Sequence, residues 1–208
     1  MKATKSPRSG SRAYRQEARA RAAAATADRI LDAAFRLFSL SLFDGVTLAS
    51  IAAEAGVSEQ TVIRRFGSKE RLFAAVGERE RARIEAQREP QANEPASMRA
   101  AVHALVGHYE RDGRTMLNFL AQESRSPLIA EMLADGRAVH EAWVERHCAT
   151  VIGVDGGPAR AERLAAAIAT TDLYTWKLMR LDRGLSPLEV EGVMVTLLEG
   201  LARTVGDA

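Results

Sequence analysis

The sequence predicts an all-α protein: an N-terminal three-helix, helix-turn-helix domain followed by a C-terminal helical bundle. Three observations carry that prediction. Apolar residues recur three or four positions apart through most of the chain, and no sustained alternation marks a strand. Between Thr47 and Phe66, two runs of about two turns each are joined by a glycine turn, which is the helix-turn-helix pattern. A polar stretch with two prolines, Gln87 to Ser97, separates that region from a longer helical remainder. At 208 residues and 47% hydrophobic composition, the chain is long and apolar enough for one or two buried cores.

Each element can be justified in turn. Residues 1–24 are a basic arm rich in Ser, Arg and Ala with few large apolar groups, a composition that predicts disorder. Thr26 is placed to cap a first helix, in which Ile30, Leu31, Ala34, Leu37 and Phe38 share a face. Asp44 and Gly45 end it in a turn. Thr47 caps a second helix carrying Leu48, Ile51, Ala52 and Ala55, and Gly56 supplies a left-handed stop. Ser58 caps a third, with Val62, Ile63 and Phe66. Gly67 breaks that helix, and Ser68 starts a longer one through Leu72, Phe73 and Val76 to about Ala86. Helices this short are marginal alone, so packing on the Ile30–Phe38 face must hold them. We therefore expect a helix-turn-helix domain with its connecting helix over residues 25–87 and a helical domain over 96–208.

Beyond the linker the pattern predicts a helix over Ser97–Glu110 and a short one over Thr115–Glu123. A further helix starts at Ser126-Pro127, with proline at its first position, and runs towards Val151. Two more follow the loop GVDGGP, and Ser186 with Glu189 forms a capping box for the last.

Charge and composition narrow the function. Residues 1–71 carry 13 Lys and Arg against 7 Asp and Glu, a net +6; the remainder carries 16 against 20, a net −4. A basic front half suits a polyanionic partner. The single cysteine, Cys148, excludes an internal disulfide and fits a reducing compartment. No apolar run reaches the roughly 20 residues a bilayer requires, and RAAAATA is too short for a signal-peptide core, so a cytoplasmic protein without a membrane partner is expected. His103, His108, His140 and His147 lack HxxxH or CxxC spacing, and no phosphate-cradling loop or nucleophile elbow stands out. We expect no metal, no cofactor and no enzymatic activity.

Four segments, ILDAAFRLF, TLASIAAEAGVS, TVIRRF and SKERLF, occur in order over about residues 26–76. Together they resemble the N-terminal domain of the TetR family of bacterial transcriptional regulators. The resemblance has departures. Leu42 and Phe43 stand where the family usually has glycine and tyrosine, a change expected to alter only a turn. Ile63 and Arg65 stand where it often has tyrosine and histidine.

A recognition helix presents its N-terminal residues to base edges in the major groove. Here those are Ser58, Glu59, Gln60 and Thr61, with Arg64 one turn on. Gln60 suits adenine and Arg64 guanine. Glu59 either accepts from cytosine or is an anion favoured at a helix N-terminus. Ile63 either meets a thymine methyl or is buried. Arg65 suits a phosphate, as do Thr47, Thr61 and Lys69 at or near helix starts. The arm's Lys2, Lys5, Arg8, Arg12, Arg15, Arg19 and Arg21 either add salt-dependent affinity or only solubilise.

The resemblance further implies a homodimer and a ligand-binding C-terminal domain. Met116, Asn118, Phe119, Trp143, Tyr174 and Trp176 are candidates to line a pocket for a small-molecule effector, or are ordinary core residues. Leu164, Ile168, Leu173, Val190, Met194, Leu197 and Leu201 are candidates for a dimer interface built as a four-helix bundle. The sequence thus reads as a TetR-like regulator, a repressor on a pseudo-palindromic DNA operator, released by a ligand. The alternative is a constitutive regulator or architectural DNA-binding protein without an inducer.

Overall fold

The computed structural model describes residues 9–89, 97–153 and 156–206, the side chains of 9–13 and 204–206 excepted. Ten α-helices and no strand occur among the described residues. They are α1 (Ser9–Leu40), α2 (Leu48–Ala55), α3 (Glu59–Phe66), α4 (Lys69–Arg88), α5 (Met98–Leu120), α6 (Pro127–His147), α7 (Ala149–Ile152), α8 (Pro158–Thr171), α9 (Leu173–Lys177) and α10 (Pro187–Gly206). Short 3-10 turns cover Phe43–Gly45 and Glu123–Arg125, and a π-helical turn covers Leu178–Asp182. The chain divides into two compact units, Met1–Val76 and Gly77–Ala208.

In the first unit, α2 packs against both α1 and α3. Its core is Ile30, Ala33, Ala34, Phe38, Phe43, Val46, Ile51, Ala52, Ala55, Val62, Leu72, Phe73 and Val76. A buried Phe or Ile of this kind contributes on the order of 2 kcal/mol. Alanines at 33, 34, 52 and 55 let the helices approach closely. The rings of Phe38, Phe43 and Phe73 meet at centroid distances of 5.1–5.6 Å, two of the three pairs edge-on.

Three local differences from the sequence reading have physical causes. Helix α1 begins at Ser9, well before Thr26. Thr26 is a mid-helix residue whose hydroxyl donates back to the Ala22 carbonyl at 2.8 Å. The arm's alanines and arginines are strong helix formers, so residues 9–24 extend α1; residues 1–8 lie outside the described residues. Second, Phe43 does more than change a turn, being 7% exposed within the aromatic cluster. Third, α5 runs unbroken from Met98 to Leu120, so Thr115 lies inside a helix and not at the start of one.

The second unit holds the rest of α4 and all of α5–α10. Its core includes Val102, Leu105, Tyr109, Trp143, Val144, Cys148, Ile152, Trp176, Val190, Met194 and Leu198. Gly113 on α5 faces Trp176: a Cβ there would lie 2.6 Å from the indole Cζ3 and 2.7 Å from Cη2. Cys148 ends α6 and is fully buried, and burial pushes its thiol up to about 11. Ser186 and Glu189 form the expected box at α10: the Ser186 N–H donates to Glu189 Oε2 at 2.7 Å, and the Glu189 N–H to Ser186 Oγ at 3.3 Å.

Candidate nucleic-acid interface

The short helices α2 and α3 are held by side-chain caps and by α1. Thr47 Oγ1 accepts the Ser50 N–H at 3.0 Å while Ser50 Oγ accepts the Thr47 N–H at 3.1 Å, a reciprocal box. Gly56 then stops α2 at φ 65°, which an L side chain adopts only with strain. Ser58 Oγ accepts the Thr61 N–H at 3.2 Å and bonds the Thr61 hydroxyl at 2.9 Å. Two further ties anchor α2 to α1: Arg36 pairs with Glu54 at 3.0 Å, and Arg29 Nε donates to the Ala55 carbonyl at 3.4 Å.

Helix α3 has two unlike faces. Val62 is fully buried and Phe66 half-buried, turned to the unit's core. Glu59, Gln60, Ile63 and Arg64, four residues that recur on one side of the helix, are exposed together with Arg65. Ile63 is 37% exposed, so the burial alternative for it falls away. Thr47 and Ser58 are exposed at the two caps, and Thr61 is half-buried.

Lys69 has a structural task. Its ammonium donates to the Phe43 carbonyl at 2.9 Å and lies 4.3 Å from the centre of the Phe43 ring. It thereby pins the start of α4 to the turn after α1, with two of its three donors beyond that bond. Arg71, which the sequence reading passed over, is an exposed cation in the first turn of α4. Its side chain reaches beside Gly67. The basic character of SKER was the available signal.

Residues 30–76 match the family model described as bacterial regulatory proteins, tetR family. The helix-turn-helix unit is a TetR-family domain. Over 83–86% of the chain, the fold is likewise that of solved transcriptional regulators. A TetR-family transcriptional regulator from Streptomyces coelicolor superposes with a TM-score of 0.63 at 19% identity, covering 86% of this chain and 87% of that one. A TetR-like regulator from Rhodococcus sp. RHA1 gives 0.63 at 20% identity, covering 85% and 96%. A transcriptional regulator from Saccharomonospora viridis, solved in complex with choline, gives 0.62 at 19% identity, covering 83% and 95%. At such identities the likeness shows the fold alone. No curated protein sequence matches the chain. The TetR family and these structures are transcriptional regulators, not enzymes.

The C-terminal candidates scatter. Trp143 and Trp176 are buried core residues with their N–H groups bonded, to the Arg88 carbonyl at 3.2 Å and to Glu110 Oε1 at 2.9 Å. Met116 packs on the same core; Asn118 and Phe119 are half-buried near the end of α5; Tyr174 is 56% exposed. The six therefore differ widely in exposure. The interface candidates need correction too. Val190 and Met194 are fully buried and Leu173 is 5% exposed, all inside their own chain's core, so they cannot meet a partner. Leu164, Ile168 and Leu201 are half-buried against that core. Leu197 is 48% exposed. With Leu185, Glu189, Gly192, Val193 and Thr196 it lines a shallow groove of about 470 Å³ along the outer side of α10.

Proposed function

We propose that the chain is a TetR-like transcriptional repressor that binds a pseudo-palindromic DNA operator as a homodimer and is released by a small-molecule effector. The observation that carries the DNA-binding reading is the split of α3: Val62 anchors it while Gln60, Ile63 and Arg64 stand in the open. In the major groove Gln60 pairs with adenine, Arg64 with guanine, and Ile63 meets a thymine methyl. Glu59 accepts from cytosine. Thr47, Ser58, Thr61, Arg65, Lys69 and Arg71 grip the flanking phosphates, and Arg15, Arg19 and Arg21 add salt-dependent affinity from the start of α1.

In this reading residues 25–87 form the DNA-binding domain with its connecting helix, and 96–208 the ligand-binding and dimerisation domain. The exposed apolar side of α10, with Leu188, Val193 and Leu197, supports dimerisation there together with α8. Among the described residues no helix is long and apolar enough to cross a membrane, which supports action on DNA in the cytoplasm. The close packing of Trp176 on Gly113 favours the second reading, a constitutive or architectural DNA-binding regulator without an inducer.

The experiment is a gel-shift of the wild-type protein and Arg64→Ala on its own upstream DNA across a salt series. We expect Arg64→Ala to lose about 1–3 kcal/mol of operator preference while keeping salt-sensitive non-specific binding. An unchanged preference would overturn the base-reading role of Arg64.

A further inference from the structure

The second unit buries a cation that no carboxylate pairs with: the charges of Glu89 and Glu85 reach it only from beyond ion-pair distance. Arg88, the last residue of α4, is 6% exposed, and none of the described acidic residues forms an ion pair with it. Its guanidinium carbon lies 5.3 Å from the Trp143 ring centre, and one terminal nitrogen bonds His140 Nδ1 at 2.6 Å. Its Nε makes no hydrogen bond among the described residues. Neighbouring Arg83 is different, being paired with both Glu80 and Asp112.

His140 offers Arg88 no negative charge. The Thr171 hydroxyl donates to the Ala167 carbonyl at 2.8 Å, so its oxygen is left to accept from His140 Nε2 at 3.2 Å. That bond puts the proton on Nε2 and leaves Nδ1 as the lone-pair acceptor for Arg88: a neutral imidazole. Burial and the Arg88 charge push His140 down to about 4, in agreement. Fully buried His108 is a second unfinished group. Its Nδ1 bonds Asp112 Oδ2 at 3.2 Å, and its Nε2 makes no hydrogen bond among the described residues. Because Asp112 is ionised and only accepts, the His108 proton sits on Nδ1, and Nε2 is a buried lone pair awaiting a donor.

A buried guanidinium without a paired counter-charge is costly, and the negative end of the α4 dipole offsets only part of that cost. Nε and a terminal nitrogen along one edge form the planar fork that grips a carboxylate through two parallel hydrogen bonds. One cation between two neutral imidazoles suits a monoanion, not a dianion. The Trp143 ring beside it belongs to the buried core, as does Tyr109, whose hydroxyl is already spent on the Thr171 carbonyl.

We infer that the second unit binds a small organic carboxylate, its anionic group held on the Nε edge of Arg88 and its apolar body against Trp143 and Tyr109. His108 Nε2 accepts from a hydroxyl or N–H of the same molecule. This rests on the effector-released reading above and names the effector's chemistry.

The test titrates the full chain with straight-chain carboxylates from acetate to decanoate, benzoate, the matching alcohols and inorganic phosphate. Calorimetry and thermal unfolding are the readouts. We expect saturable one-to-one binding of a carboxylate, and binding about tenfold weaker or worse for its alcohol and for Arg88→Met. Without ligand, Arg88→Met should unfold no earlier than wild type, since it removes an unpaired buried charge; a purely structural arginine would predict earlier unfolding. Equal binding of alcohol and carboxylate, undiminished binding by Arg88→Met, preference for phosphate, or no binding of any carboxylate would each overturn the inference. Should Arg88→Met fail to fold, the carboxylate–alcohol comparison on wild type decides alone. A gel-shift separates this inference from the regulator reading. A carboxylate that binds without releasing DNA leaves the site standing and removes its effector role. Release of Arg88→Met from DNA by a neutral compound, as readily as wild type, leaves the regulator standing and removes the site.

Discussion

Replacing Gly113 by alanine should weaken the second unit, against the usual rule for helices. In an exposed helix interior the change stabilises by up to about 1 kcal/mol, because glycine loses more backbone freedom on folding. Here the new methyl would lie 2.6 and 2.7 Å from two carbons of the Trp176 ring. That ring is 2% exposed and tethered through its N–H to Glu110 at 2.9 Å, so it has little freedom to yield. Overpacking of a rigid core costs about 1–3 kcal/mol. Taking the upper end and subtracting the helix gain leaves about 2 kcal/mol of net destabilisation. With a urea dependence of roughly 2 kcal/mol per molar, the unfolding midpoint falls by about 1 M. Gly136 on α6 is the control: nothing lies within 4 Å of a Cβ there, so Gly136→Ala should raise the midpoint slightly. In a Trp176→Leu background the penalty of Gly113→Ala should vanish. A Gly113→Ala protein as stable as wild type, or an undiminished penalty without the indole, would refute the steric reasoning.

Two further outcomes follow from the same unit. Burial and the Arg88 charge lower His140 from 6.5 to about 4, so its neutral form contributes stability that is fully present above pH 6.5. That contribution, roughly 3 kcal/mol, should disappear as pH falls from 6.5 to 4, measured by urea unfolding at stepped pH. Asp112 opens a second window. Burial alone would raise its carboxyl, but hydrogen bonds from His108 and Arg83 outweigh burial and hold it at about 2. About 2 kcal/mol present above pH 3.8 should be lost towards pH 2, and Asp112→Asn should flatten that window alone. On α10, Leu197→Asp should leave each chain folded, since Leu197 is 48% exposed, yet shift the proposed dimer to monomer by light scattering. Retention of the dimer would move the interface off this side of α10.

How much of this was legible in the sequence depended on how local each cause was. The caps at Thr47, Ser58 and Ser186 and the stop at Gly56 are each set within a few residues, and they stand as read. The break expected between Glu110 and Thr115 does not occur, and Gly113, next to Arg111 and Asp112, sits inside α5. Its reason for being glycine is a tryptophan more than sixty positions later. The phase of α10 was ambiguous for a similar reason. Val190 and Met194 on one side, and Val193 and Leu197 on the other, are equally apolar, and only the packed bundle decides which pair is inside. Ile63 was left open between groove and core, and its exposure removes the core alternative alone. Arg88 carried no signal at all: a lone arginine before a linker looks solvated until Trp143 and His140, more than fifty positions on, close over it.

The burial of Cys148 has a practical consequence. With its thiol pushed to about 11, roughly one molecule in ten thousand carries the thiolate at neutral pH, and even that sulfur is sealed from reagents. Towards maleimides and spin labels the native chain therefore behaves as though it had no cysteine. One engineered on the open side of α3 would take up a probe by itself, and the separation of the two labelled helices across a dimer could be measured by pulsed resonance without first stripping the wild-type protein of sulfur.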